Sequence, residues 1–164
     1  MSDKAGVGTT QVDVVVIGAG AAGLLCAATA AYQGHRVLVL DHANKAGKKI
    51  LMSGGGRCNF TNLNTTPEHF VSANPHFCKS ALKRYTPWHF LELVERHGIE
   101  HVEKAPGQLF CADSAKDILG MLLTECEWAG AEIRLKTDIR RVSQTESGFS
   151  LSTSAGTVQC AKLV

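Results

Sequence analysis

No two of the six cysteines in this 164-residue chain form a C-x-x-C pair, and no histidines stand beside them at zinc-site spacing. That excludes a zinc-ribbon or thioredoxin-like framework, since both need paired thiols. His97 and His101 are four residues apart, but Gly98 lies between them and is expected to end a helix. They need not share a face, so no metal site is expected. Charge of one sign is also scarce. A net charge of +2, spread along the chain, argues against nucleic acid or an anionic membrane as a partner. The longest apolar stretch is interrupted by glycines and is too short to span a bilayer. Met1 to Gln11 lacks the charged and apolar regions of a secretion signal, so residues 1–11 read as a flexible tail. Reduced thiols and a cytoplasmic location are the expectation.

What is present is an ordinary globular composition, 45% hydrophobic and 20% charged, long enough for one domain with a real core. Within it, Val12 to Asp41 carry a complete dinucleotide-binding fingerprint. Val12-Asp13-Val14-Val15-Val16-Ile17 reads as a strand buried on both faces. Gly18, Gly20 and Gly23 then give the G-x-G-x-x-G spacing. The first allows a tight turn, the second lets backbone approach a pyrophosphate, and the third lets helix and strand pack closely. Residues 21–33 read as the following helix, whose first N–H groups, with those of Ala19, Ala21 and Ala22 nearby, suit a phosphate. Arg36 to Leu40 form the second parallel strand. Asp41, with His42 beside it, stands where a carboxylate can accept adenosine ribose hydroxyls.

A second glycine run follows, from Gly47 through Lys48, Lys49, Gly54, Gly55, Gly56, Arg57, Cys58 and Asn59 to Asn62. Three consecutive glycines are entropically costly to order, so ordered backbone there implies close approach to something. Lys48, Lys49 and Arg57 add positive charge suited to an anion.

The run G-K-K-I-L-x-S-G-G-G-R-C-N-x-T-N, with the fingerprint, resembles the bacterial NAD(P)/FAD-dependent oxidoreductases of the aminoacetone oxidase family. That group includes a flavoprotein implicated in bile-acid 7-dehydroxylation. The resemblance continues through Gly107 to Cys111, Ser114 to Ile118 and Glu132 to Leu135, covering the chain from Val12 onward. It implies FAD as cofactor and a Rossmann-like α/β fold with a parallel sheet, a three-stranded antiparallel meander and a helical insertion at about 64–105. It implies that residues 12–164 are an FAD-binding domain, with Gly18 to Gly23 at the pyrophosphate and Asp41 at the ribose. Lys49, and less directly Lys48, would meet a phosphate or the ribityl chain. Gly54 to Asn59 would lie along the ribityl chain and ring, with Arg57 stabilising negative charge. Ile139 would meet the adenine. Family members continue past this point through an alanine–threonine–glycine–glycine turn. This stretch is therefore expected to be the N-terminal part of such a flavoprotein, with the groups acting on a small-molecule substrate, and NAD(P)H as candidate electron donor, served elsewhere. No catalytic acid, base or nucleophile is identifiable. A nicotinamide-dependent enzyme and a non-catalytic nucleotide-binding module remain the alternatives.

The remaining pattern gives a helical segment from Asn74-Pro75 to Lys83, and another after Thr86-Pro87 with Phe90, Leu91, Val94 and His97 on one face. Tyr85 and Trp88 read as core aromatics. Short strands are expected at Glu100 to Lys104 and Gln108 to Cys111, then a helix from Asp113-Ser114. Glu132 to Leu135 should be a third parallel strand beside the first. Ile139 to Gln144, Phe149 to Thr153 and Thr157 to Val164 form the meander, which favours an FAD over a nicotinamide fold. Cys58, with no cysteine near it in sequence, reads as a small packing residue.

Overall fold

The computed structural model of the chain describes residues 8–164. Its elements run β1 (Thr9–Ile17), α1 (Ala21–Tyr32), β2 (Val37–Leu40), α2 (Lys48–Met52), β3 (Asn59–Asn62), α3 (Lys79–Arg84), α4 (Pro87–Arg96), β4 (His101–Ala105), β5 (Gln108–Cys111), α5 (Ala115–Ala129), β6 (Glu132–Arg134), β7 (Ile139–Thr145), β8 (Gly148–Thr153) and β9 (Gly156–Leu163). They divide into two compact units. One is the described part of Met1–Lys48 with Leu122–Val164, and the other is Lys49–Met121.

The first unit is built on a six-stranded sheet in the order β6-β2-β1-β9-β8-β7. The four strands β6, β2, β1 and β9 run parallel, and β8 and β7 return antiparallel. Burial explains the parallel part. Val14, Val15 and Val16 are all buried, as is every residue of β2, which is how β-branched runs behave when both sheet faces are covered. One face packs Val15, Leu38 and Leu40 against Leu151, Val158 and Cys160. In α1, Leu24, Ala27, Ala28 and Ala31 are buried, and the Cys126 thiol of α5 donates to Leu24 O at 3.3 Å. Small residues on α1 permit that close packing.

Two expectations about this unit are corrected. Residues 9–11 are not tail, because β1 begins at Thr9 and Thr9, Thr10 and Gln11 pair with Thr157, Val158 and Gln159. Residues 1–7 lie outside the described residues. The strand at Glu132 lies beside β2 rather than β1. The other edge of β1 is occupied by β9 from Thr9 to Val15, so no place beside the first strand is left. The meander is thereby a continuation of the nucleotide-type sheet, joined through a parallel pair.

The second unit is wider than the helical insertion expected at about 64–105, because it contains its own antiparallel sheet in the order β3-β5-β4. Leu109, Phe110 and Cys111 of β5 are buried, with Leu91, Leu93 and Val94 of α4. Phe60 of β3 meets Phe90 at 6.1 Å and the edge of His101 at 5.9 Å between ring centroids. Thr86 caps α4, and the His89 ring reaches back to the Thr86 N–H at 2.9 Å. The helix expected from Asn74 begins only at Lys79. Asn74 Oδ1 instead accepts the His76 N–H at 3.0 Å, a local turn that competes with helix. Tyr85 and Trp88 are not core residues. They are 42% and 56% exposed, with Tyr85 stacked on His89 at 5.6 Å.

Candidate functional site

The fingerprint folds as a set of backbone clamps at the C-terminal ends of β1 and β2. Gly18 turns the chain at φ +107°, a conformation that L side chains rarely adopt, and its N–H donates to Leu40 O at 2.8 Å. The next residue, Ala19, is buried and held from two sides. Its N–H donates to Asp41 Oδ2 at 2.7 Å, and its carbonyl accepts the Gly47 N–H at 2.8 Å. Gly23 is fixed by packing, since a Cβ there would sit 1.9 Å from the Gly18 carbonyl oxygen.

Gly20 differs from both. Its φ is −92°, and among the described residues no atom lies within 4 Å of where its Cβ would be. Nothing inside the fold requires glycine at that position. It is the N-cap of α1, and among the described residues no side chain caps the helix and no acid stands in its first turn. The first amides of the helix, including those of Ala21 and Ala22, are thus left for an outside acceptor, with the positive dipole end behind them.

Beside this turn lies a cleft of about 400 Å³ lined by Ile17, Gly18, Leu40, Asp41, His42, Thr137, Asp138 and Ile139. That is within the range of small-molecule and cofactor sites. Asp41 carries its charge. Burial raises its pKa, but the Ala43 and Ala19 N–H groups, with His42 and Lys48, outweigh that and hold the carboxyl below its ordinary value. Oδ1 accepts the Ala43 N–H at 2.8 Å and lies 3.7 Å from His42 Nδ1, whose side chain is exposed. Gly18, Asp41, His42 and Ile139 are therefore brought to one cleft, and Lys48 acts on Asp41 through its field. Thr137 and Asp138 escaped the sequence reading. The Thr137 N–H donates to Asp41 O, and the Lys136 N–H donates to Ala43 O, both at 2.9 Å. Among the described residues, the bonds that stitch this strand-to-strand loop to the end of β2 are backbone bonds, which leave no side-chain signature. Its one sequence signal was its place just ahead of Ile139.

From Lys49 onward the second glycine run belongs to the other unit, while Gly47 and Lys48 belong to the first. Lys49 is exposed on α2. Gly54, Gly55, Gly56 and Cys58 all take positive φ, making a left-handed turn that closes with the Cys58 N–H on Ser53 O at 3.1 Å. At Gly54 the need for glycine is internal, because a Cβ would fall 2.7 Å from Asn59 N and 2.9 Å from the Phe110 ring. Asn59 is likewise occupied: its amide, turned to satisfy its neighbours, donates to Leu109 O and Thr61 O at 3.1 Å. Arg57 remains exposed, with its carbonyl accepting the Cys111 N–H at 2.9 Å. Cys58 is buried, and burial pushes its thiol up. It is not isolated in space. Cys111, buried nearby, is pushed up to about 11, first by burial and then by the Cys58 sulfur. Neither is a poised thiolate.

Residues 12–164 match the sequence profile of a family described as "HI0933-like protein Rossmann domain". The chain is 54% identical over 152 residues to a protein of Escherichia coli K12 named ribosomal RNA dihydrouridine synthase, covering 93% of this chain and 38% of that protein. It is 30% identical over 128 residues to a 3-dehydro-bile acid delta(4,6)-reductase of Clostridium scindens, covering 76% of this chain and 31% of that one. The chain thus spans well under half the length of the curated relatives it matches. Among solved structures the fold is shared with glycine oxidase from Geobacillus kaustophilus, at TM-score 0.64 and 19% identity over 94% of this chain and 54% of that one. It is shared equally with a 3-ketosteroid-delta4-(5alpha)-dehydrogenase from Rhodococcus jostii RHA1, at TM-score 0.68 and 16% identity over 94% and 45%.

Proposed function

The chain belongs to the HI0933-like family, and from that premise we propose that it is the FAD-binding portion of a flavin-dependent oxidoreductase. In this reading it holds the ADP moiety at the ends of β1 and β2. The observation that carries the reading is Gly20: a glycine with ordinary backbone and open space around it, capping an otherwise uncapped helix beside a nucleotide-sized cleft. The amides of Ala21, Ala22 and Gly23 would receive the pyrophosphate, and Asp41, His42 and Ile139 would line the adenosine. Asp41 already spends one lone pair of each oxygen on Ala19 and Ala43. It would serve the ribose with the remaining ones. Bound flavin supplies the electron-pair chemistry, while the protein supplies binding, orientation and charge. Visible flavin absorbance retained by the intact purified protein, and competition of FAD by ADP, test this. A colourless protein that takes up NAD but not FAD refutes it.

For the reaction of the longer protein, the 54% identity to a ribosomal RNA dihydrouridine synthase favours reduction of uridine in ribosomal RNA over a small-molecule substrate. A second relative with that name, from Haemophilus influenzae, is 49% identical over 154 residues. A hydride and a proton would add across the C5–C6 double bond of uracil, with the two electrons drawn from reduced flavin and originally from NAD(P)H. This departs from the expectation of no nucleic-acid partner, which rested on charge averaged over the chain. Dihydrouridine measured by mass spectrometry in ribosomal RNA, with and without the gene, decides it.

A further inference from the structure

Between Glu68 and Glu92 the sequence holds no acidic residue, but it holds Lys79, Lys83 and Arg84 together with His69, His76 and His89. The same stretch, in the second unit, is the most open part of the described chain. Among the described residues none from 68 to 90 is buried. Large apolar groups are left in water there: Val71 is 98% exposed, Phe77 81% and Phe70 46%, in addition to Trp88 and Tyr85. The segment is held in shape by its own polar turns rather than by a core. His69 Nδ1 receives the Thr66 N–H at 3.0 Å, the Ser72 hydroxyl donates to Asn74 O at 2.7 Å, and the two capping boxes at Thr66 and Thr86 fix the ends. Exposed aromatics ordinarily call for a partner. Here the partner's chemistry is set by the charge around them.

We propose that residues 69–90 form a single-stranded RNA-binding surface, with Trp88, Phe77 and Phe70 as stacking platforms for bases and Lys79, Lys83 and Arg84 as phosphate contacts. A basic segment interleaved with exposed rings is the pattern that holds single strands without reading their sequence. A uridine must be unstacked before its C5–C6 bond can be reached, so a surface that splays bases suits that reaction. Glu68, at the edge of the stretch, lies in the field of Lys79, but no carboxylate stands between it and Glu92, which favours a polyanion over an apolar protein segment as occupant. The proposal rests on the ribosomal RNA reading given above. The whole-chain charge of +2 conceals it because the acids are concentrated elsewhere.

The test uses the intact protein and a fluorescent, uridine-rich oligoribonucleotide of about twelve nucleotides, followed by anisotropy at two salt concentrations. Each phosphate contact on a single strand contributes about 0.7 to the salt slope. Replacing Lys79, Lys83 and Arg84 together by Gln should lower the slope by about 2, so that raising salt from roughly 50 to 200 mM costs the wild type about twentyfold more affinity than the variant. Trp88→Ala should weaken binding roughly fivefold or more, and Trp88→Phe should restore most of it. Flavin content and thermal unfolding should be unchanged, since all four side chains are exposed and outside the proposed cofactor site. A wild type that ignores the oligonucleotide, or a triple variant with the wild-type slope, overturns the surface. So does protection of the Trp88 and Phe77 rings from hydroxyl-radical footprinting in RNA-free protein, for then protein covers them. Dihydrouridine in ribosomal RNA is scored separately. If it forms normally while the surface fails, the uridine reading survives; if the wild type forms none, that reading falls as well.

Discussion

Replacing Asp41 by Asn probes how the glycine turn is held. Asp41 reaches Ala19 N–H with one oxygen and Ala43 N–H with the other, at 2.7 and 2.8 Å. Asparagine keeps one acceptor, but its NH2 group then confronts a second N–H donor. One charge-assisted bond is lost, at about 1.5–3 kcal/mol, and the survivor loses roughly half its strength with the charge. The total is about 2–4 kcal/mol, which for a chain of this size lowers Tm by roughly 5–15 °C. The pH dependence has a definite sign. The folded carboxyl lies below its ordinary 3.8, so its contribution is present above that value and is lost as pH falls through the folded pKa. Thermal unfolding by circular dichroism should therefore show a wild-type advantage that is flat above about pH 5 and shrinks in acid. A variant melting within a degree of wild type, or an advantage that widens in acid, refutes the clamp.

Gly23→Ala should abolish soluble expression or cost about 3 kcal/mol, because the Cβ meets backbone oxygen at 1.9 Å; Gly20→Ala should melt within about 1 kcal/mol of wild type yet bind FAD at least tenfold more weakly by calorimetry. Gly54→Ala combines a left-handed φ of 56° with a clash against Asn59 N and Phe110, whereas Gly55→Ala carries only the left-handed penalty of about 1–2 kcal/mol. Urea titration should rank Gly54→Ala as clearly worse, and equal losses would contradict the packing account. Alkylation at about pH 8 with peptide mapping should label the partly exposed Cys26 and Cys78 before the buried Cys58, Cys111, Cys126 and Cys160.

Local pattern carried the sequence reading wherever neighbours in sequence are also neighbours in space. The β1–α1–β2 unit and the strands of the meander were legible because buried strands need apolar runs and turns need glycine. The place of β6 was not. It lies beside β2 because both edges of β1 are taken, one by β2 and the other by β9, a strand more than twenty residues later in the chain. The late start of α3 depends on one Asn side chain outcompeting the helix for a backbone amide. Tyr85 and Trp88 were misplaced for a related reason. Helical spacing specifies that residues share a face, and leaves open whether that face meets the core.

The glycines make the same point about the site. In the sequence the three glycines of G-x-G-x-x-G are one motif, and the three of Gly54 to Gly56 another. In the fold they have different causes. Gly18 and Gly55 are required by backbone conformation, Gly23 and Gly54 by atoms of the chain itself, and Gly20 by neither. An unexplained glycine at an uncapped helix start is a demand that comes from outside the protein, so Gly20 bears on ligand binding more directly than the neighbours that spell the motif with it. The second run, which by sequence had the more specific resemblance, is partly accounted for by Phe110 and Asn59. Of its members, Lys49 and Arg57 are exposed cations whose side chains have no such internal duty among the described residues, and a loss of flavin affinity on Arg57→Ala without loss of Tm would separate a cofactor role from a structural one.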